Sequence, residues 1–482
     1  SDQSVQLHED LNPIHILKEQ EAVNLGGVGG RDAKTLVKKS RAYNKKDLGV
    51  ISESTPDSGK VAIRTYFTPN AKLTNLRGMT ERFKEGDPAS SAISTAALLY
   101  PGTNNDDAKR VNLTSVQLSA MVAAEGYQAM PLRTGMEQVI GARSPDEYAY
   151  TMKDDGVVES VSKDKLIIKT EKGKIGVELG TRHGKAAGVV FPHQTVTDLK
   201  VGDTVKVGDI VAWDSGFFER DWMNPRNVEF KIGVLTPVVL MENSKTFEDS
   251  CVISPKIATL MQTGNTKAKT IVLNFDREIH DLVKVGEEVD LDTPLCVIQD
   301  SALSDFDQDE SLSALKRFAN NAPKAKFIGK VTRIEVMYIG NPEEASATIK
   351  DIIAADTKLR TTRNKTFGLD ESPTGEVKAA DTFVNGQKII SGQVAITIYM
   401  DSAMPMGAGD KGAFSAQLKT VVAGIISENT RTESGDPIGA IFSYRSIMDR
   451  IVLSAEKMGI VNRASVHHTA NAVKLYRKLK GE

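Results

Sequence analysis

The sequence predicts a β-rich α+β chain of several domains, and three observations carry that reading. Its 482 residues exceed what one ordinary core organises, so two to four domains are expected. Hydrophobic residues make up 40% and charged residues 26%, the balance of a folded globular protein. Regular helical spacing is sparse, whereas short alternating segments bounded by glycine and aspartate recur along the chain.

Taken in order, Gly156–Lys169 alternates apolar and polar residues on either side of Lys163 and Asp164, which predicts a hairpin turning there. Leu199–Val211 and Leu282–Leu295 resemble each other. Each sets a turn residue beside a β-branched one, as short strands wrapping a compact barrel or sandwich require. Lipoyl-type carrier domains share this pattern, but neither repeat has a modifiable lysine at its tip, so both are read as structural. The acidic, Ser-rich stretch Asp300–Ser313 predicts a loop before a short amphipathic helix. Ala345–Ala355, Ile447–Met458 and Ala470–Leu479 have helical apolar spacing, and Ile396–Met400 reads as a strand with a Gly-rich turn after it.

Composition narrows the function classes. Cys251 and Cys296 are too few for a disulfide framework or a cysteine metal site, which points to a reducing compartment. Ser1–Pro13 is polar and does not read as a secretory signal. No apolar run approaches the ~20 residues that span a bilayer. A net charge of −2 argues against a simple nucleic-acid coat, but charge is unevenly distributed. Arg31, Lys34, Lys38, Lys39, Arg41, Lys45 and Lys46 crowd one segment with only Asp32 as acid, and Lys474–Lys480 adds four more cations. The first run, placed after the glycine cluster Gly26–Gly30, fits either a loop lying on a phosphate backbone or a plain surface loop.

Two further segments can carry chemistry. Gly407–Gly412 departs from the P-loop pattern, because Gly412 and Ala413 follow Lys411 where a hydroxyl is needed. What remains is a lysine on a permissive turn that can approach a phosphate. Thr246–Ser250 holds the adjacent carboxylates Glu248 and Asp249. On a strand these would point to opposite faces, so a shared ligand requires a turn or bulge.

In order and together, these segments resemble the β subunit of cellular multisubunit RNA polymerases. Asn12-Pro13 with the glycine cluster is similar to the approach to the fork loop. Thr55-Pro56-Asp57 followed by Val61–Ile63 resembles an acidic Thr-Pro-Glu motif, with Asp57 in place of glutamate and Ser58-Gly59 in place of a glycine-proline pair. Asp106–Arg110 resembles a stretch whose arginine meets the incoming triphosphate. Thr134–Glu137 and Asp155–Val158 resemble the approach to the hybrid-binding region. Phe247–Ser250 is identical to the family's acidic motif, and Gly409–Gly412 resembles its Gly-Asn-Lys-Gly. Glu433–Pro437 runs without a gap to Arg450, with Arg445 as the alternative register. The resemblance holds from about residue 12 to 455. Two departures stand out: the family's second lysine, eight residues before Lys411, is Ala403, and Gly407 and Ala408 replace an Arg-His pair. Compactness, and the absence of the N-terminal lobes, resemble the split β chains of giant bacteriophages.

The resemblance implies a double-psi β-barrel core with hybrid-binding and flap-like β modules. It divides the chain into a fork-loop region leading to the core (1–80), a nucleotide-facing segment (81–150) and a hybrid-binding, barrel-sandwich module (151–215). The first part of the barrel (216–262), a flap-like module (263–395), the second part of the barrel (396–455) and a basic helical tail (456–482) complete it. It assigns catalytic roles to Lys411, Glu248 and Asp249, nucleotide-triphosphate contacts to Arg110, Arg450 and Asp57, and nucleic-acid contacts to Arg31, Lys34, Lys38 and Lys39. Mg²⁺ is expected mainly on a partner chain, since the family's aspartate motif is absent here, with Glu248 and Asp249 as indirect contacts. Implied partners are an N-terminal β-type chain, one or more β′-type chains, a specificity factor, DNA template, RNA transcript and nucleoside triphosphates, with no membrane. The implied location is the host cytoplasm during infection, or a virion. The alternative left open is a β-rich structural or virion protein derived from a polymerase subunit.

Overall fold

A computed structural model describes residues 8–26, 33–300, 322–378 and 382–480. Arg31, Gly27–Gly30 and nearly all of the loop and helix expected from Asp300 onward lie outside the described residues. The strands that matter for the site are, in chain order, β1 (Gly180–Ala186), β2 (Val189–Val196), β3 (Val238–Leu240), β4 (Ser250–Ile253) and β5 (Thr263–Asn274). They continue with β6 (Gly329–Ile339), β7 (Gln393–Met404), β8 (Lys411–Phe414), β9 (Leu418–Ile425) and β10 (Ala440–Phe442). The helices are α1 (Pro13–Gln20), α2 (Ala108–Ser119), α3 (Ala347–Phe367), α4 (Tyr444–Met448) and α5 (Leu453–Lys480).

Local sequence chemistry accounts for the turns. The expected hairpin forms from strands Gly156–Val161 and Lys165–Thr170, closed by Ser162 N–H donating to the Lys165 carbonyl at 2.8 Å. The repeated Lys-Val-Gly-Asp segments fold as one kind of turn. Lys200 N–H donates to the Asp203 carboxylate and Lys206 N–H to that of Asp209, while Gly202 (φ +94°) and Gly208 (φ +88°) take the left-handed conformation that L side chains avoid. Lys284–Glu287 repeats the turn with Gly286 at φ +100°.

Long-range pairing then assembles an eight-stranded sheet, in which β6, β7, β5 and β2 are neighbours and β1 pairs with β2. β5 and β7 pair in register without interruption from Thr263 opposite Met404 to Asn274 opposite Gln393, so residues 275–392 are an insertion between two paired strands. Ile271, Leu273, Val336, Val394, Ile396, Ile398 and Met400 form its core, capped by Ile349 and Ile353 of α3. α3 outruns the expected Ala345–Ala355 because its second half is held by polar contacts that apolar spacing does not register. Arg360 pairs with Asp356, and Arg363 with Glu178 and Glu371.

A second, five-stranded sheet has the order β3-β10-β4-β9-β8 and mixes parallel (β3 with β10, β4 with β9) and antiparallel pairs. Its buried face carries Cys251, Ile253, Leu418, Val422 and Phe442 against Ile257, Ile447 and Val452. No sheet closes into a barrel among the described residues. The helix expected over Ile447–Met458 is two helices, α4 and α5, separated where Ile451 takes φ +52°. The helix expected over Ala470–Leu479 is the end of α5. Among the described residues no helix is long and apolar enough to cross a membrane.

Ile398 is fully buried at the centre of β7. Ile398→Ala is expected to destabilise the protein by about 2–5 kcal/mol, read as a lower urea midpoint at unchanged slope.

Candidate functional site

The site is built outward from Asp249. Phe247–Asp249 ends a tight turn entering β4, and Glu248 adopts φ +54°, a conformation unfavourable for a residue with a Cβ. The turn answers the geometric requirement set by adjacent carboxylates: Glu248 and Asp249 precede the strand and do not alternate across it. Asp249 accepts a hydrogen bond at Oδ2 from Arg450 Nη2 at 2.7 Å, and its Oδ1 forms an ion pair with Nη1 at 2.6 Å. Arg450 follows α4, and its Nη1 also donates to the Ser446 carbonyl at 3.2 Å. Arg445, the alternative register, points its backbone N–H at Glu242 instead, at 3.1 Å.

Arg110 reaches the same place from the N-terminal half of the chain. Asp107 caps α2 by accepting from Lys109 N–H at 3.2 Å, which starts the helix and sets Arg110 on its first turn. Asp106 fastens that turn to the C-terminal half: Oδ2 accepts from Gln417 Nε2 at 2.8 Å and Oδ1 from Ser454 N–H at 3.0 Å. Partial burial first, and the like charge of Arg450 second, lower the Arg110 guanidinium below its ordinary pKa, against Asp107, Asp249 and Asp106, which raise it. Among the described residues the Arg110 side chain makes no hydrogen bond or ion pair. It is a cation within electrostatic reach of a second cation, with its donors unspent among the described residues.

Lys411 opens β8. It stands opposite Val421 of β9, which in turn stands opposite Ser250 of β4. In-register neighbours share a face, so Lys411 lies on the outer face two strands, about 10 Å, from the acidic turn. The alternate residues Cys251 and Val422 point into the core. The preceding turn is fixed by Gly407 N–H donating to Asp410 Oδ2 at 2.8 Å, with Gly409 at φ +95°. Ala403 sits near the end of β7 opposite Gly264 and is exposed. Asp249, Asp410 and Lys411 line one cleft of about 1940 Å³.

The remaining candidates are more dispersed. Thr55 docks on α2, its N–H donating to Asn112 Oδ1 at 2.9 Å, two residues from Arg110. Asp57 lies on the exposed loop that follows and makes no side-chain hydrogen bond among the described residues. Lys38 and Lys39 lie on an exposed short helical turn beside Val61 and Ala62, and Arg41 Nη1 donates to the Gly59 carbonyl at 3.2 Å, so the basic segment flanks the Asp57 loop. Lys34 is exposed in the preceding turn. Asn12 caps α1 through His15 N–H at 2.7 Å, and its amide reaches the Met121 carbonyl at 2.8 Å, so it serves as a clamp between helices. Sequence patterns gave no sign of Gln417, Ser446 or Ser454. They are isolated polar residues whose partners lie far along the chain.

No protein-family model matches the chain. It is similar to the DNA-directed RNA polymerase subunit beta of Syntrophotalea carbinolica, 32% identical over 167 residues, which are 34% of this chain and 12% of that one. It is likewise similar to the subunit of the same name from Erythrobacter litoralis, 28% identical over 210 residues, 41% of this chain and 14% of the relative. For that of Geobacter sulfurreducens the figures are 25% over 248 residues, 50% and 17%. The similarity is therefore partial, it is to β subunits of bacterial RNA polymerases, and it covers less than a fifth of each of these relatives.

The Asp249 side chain is 50% exposed and that of Arg450 30%. A double-mutant cycle with Asp249→Asn and Arg450→Gln is expected to give a coupling of about 1 kcal/mol or less in chemical denaturation, shrinking as salt rises.

Proposed function

We propose that this chain is the C-terminal β-type part of a multisubunit DNA-dependent RNA polymerase, split as in giant bacteriophages, and that it works only with its partner chains. The observation that carries the reading is the meeting of Arg110, Arg450 and Asp249, which come from three distant segments and correspond to nucleotide-facing positions of the polymerase resemblance. The partial similarity to β subunits supports it. In this reading the five-stranded sheet belongs to a double-psi β-barrel shared between residues 216–262 and 396–455, and the insertion between β5 and β7 is the flap-like module.

The chain's role is electrostatic positioning. Arg110 and Arg450 offer forked donors to the β- and γ-phosphates, a geometry suited to planar recognition of phosphate oxygens. Lys411 acts as a point charge near the α-phosphate or the RNA 3′ end. Asp57 stands at the margin of the triphosphate site, and Lys34, Lys38 and Lys39, with Arg31, follow the nucleic-acid backbone. Preorganised charge of this kind contributes a few kcal/mol per group in a water-poor site.

Among the described residues no group of three or more His, Cys, Asp and Glu side chains is placed to hold a metal. Glu248, whose carboxylate makes no hydrogen bond among the described residues, and Asp249 fit contact through water with a Mg²⁺ ion carried by the nucleotide, not a resident site. When bound, this Mg²⁺ would neutralise phosphate charge and stabilise the leaving pyrophosphate. The aspartates that hold the principal metal are placed on a β′-type partner.

The test is recovery of the chain with its partners from its native source, followed by RNA extension on a primed template. A partner bearing the aspartate motif, and extension abolished by EDTA, are expected. Arg110→Ala and Lys411→Ala are expected to slow extension by about 100-fold or more without impairing assembly. Recovery of the chain alone, or with capsid proteins and no extension, would overturn the reading.

A further inference from the structure

Ser446 connects the two halves of the Asp249–Arg450 pair. Its side chain is buried on the first turn of α4, and its hydroxyl donates to the Glu248 carbonyl at 2.5 Å and lies 3.3 Å from Asp249 Oδ1. Its own carbonyl accepts from Arg450 Nη1 at 3.2 Å. The residue is placed from behind: Ser443 Oγ accepts from Ser446 N–H at 3.2 Å and donates to Glu242 Oε1 at 2.7 Å. A chain of hydrogen bonds thus runs from Glu242 through the start of α4 to the acidic turn.

We infer that Ser446 is a positioning residue for the triphosphate site, holding Asp249 beside Arg450 so that an incoming metal-bound triphosphate meets the two together. This rests on the polymerase reading above and names a residue that reading does not use. Three features support it. Ser446 touches both members of the pair, through its hydroxyl at Asp249 Oδ1 and its carbonyl at Arg450 Nη1, so its placement sets theirs relative to each other. The Asp249 side chain is 50% exposed and that of Arg450 30%, so both are open to a ligand arriving from solvent. Glu248 is held in an unfavourable left-handed conformation, and the Ser446 hydroxyl is bound to the carbonyl of that same residue. Without the hydroxyl the turn relaxes, and Asp249 no longer stands where an incoming metal-bound triphosphate meets it and Arg450 together.

The experiment uses the assembled polymerase, with a single nucleoside triphosphate as probe and single-nucleotide extension as readout. Ser446→Ala is expected to raise KM for the nucleotide about tenfold, the effect of one lost hydrogen bond to a charged or strained group, with kcat changed far less. Ser446→Thr, which keeps the hydroxyl, is expected to restore KM. Ser446→Cys, similar in shape with a weaker donor, should follow the alanine variant, and it serves if alanine impairs assembly. A KM unchanged by both Ser446→Ala and Ser446→Cys, while Arg450→Ala raises it, overturns the role of Ser446 and leaves the polymerase reading standing. A loss of kcat alone that Ser446→Thr does not rescue also overturns the positioning role. A KM indifferent to Arg450→Ala removes the triphosphate site itself.

Discussion

The geometry of the site depends on one carboxylate. Asp106 precedes α2, yet its two oxygens are spent on Gln417 and on the backbone N–H of Ser454, residues more than three hundred positions away. Both partners are almost fully buried, so the contacts are shielded from water and specify a single docking of α2 against the C-terminal half. Asp107, the next residue, caps the helix, and Arg110 follows on its first turn. Two adjacent acids thus divide the work: one starts the helix and the other places it. At its far end the helix is secured by Asn12, which caps α1 with its oxygen and binds the carbonyls of Leu118, Ser119 and Met121 with its amide.

Placing two guanidinium groups within electrostatic reach of each other is unfavourable, and the structure offsets it with the carboxylates of Asp107, Asp249 and Asp106. Asp106 and Asp107 are tied into the scaffold. Asp249 is paired but half exposed, and Glu248 is held by its backbone while its carboxylate stays uncommitted. The face carries two guanidinium groups together with the partly exposed carboxylate of Asp249.

Much of the local structure was legible in the sequence. The alternation through Gly156–Lys169, the turn residues at its tip and the repeated Lys-Val-Gly-Asp segments each contain their own explanation, because the donor, acceptor and left-handed glycine all fall within four residues. Helix limits were less legible. α3 extends on ion pairs to Glu178 and Glu371, the start of α4 follows from capping by Ser443, and the first turn of α5 is fixed by Ser454 binding Asp106, none of which has an apolar period. The order of charged motifs was enough to single out Arg110, Asp249, Lys411 and Arg450, but it did not distinguish Arg450 from Arg445. In the structure the Arg450 side chain meets Asp249, while the backbone N–H of Arg445 donates to Glu242.

The sequence by itself determined the β-rich character of the chain, its tight turns, and a short set of charged candidate residues. These depend on propensity and spacing, which act over a few residues. Only the tertiary structure decided which of those groups share a site, that Asp249 lies in the fork of Arg450, and that an unremarkable serine braces them both. The physical reason is range: a side-chain hydrogen bond or ion pair requires approach within about 3 Å. For residues such as Asp249 and Arg450, 201 positions apart, that approach is set by the packing of two sheets and their helices and by nothing adjacent to either residue.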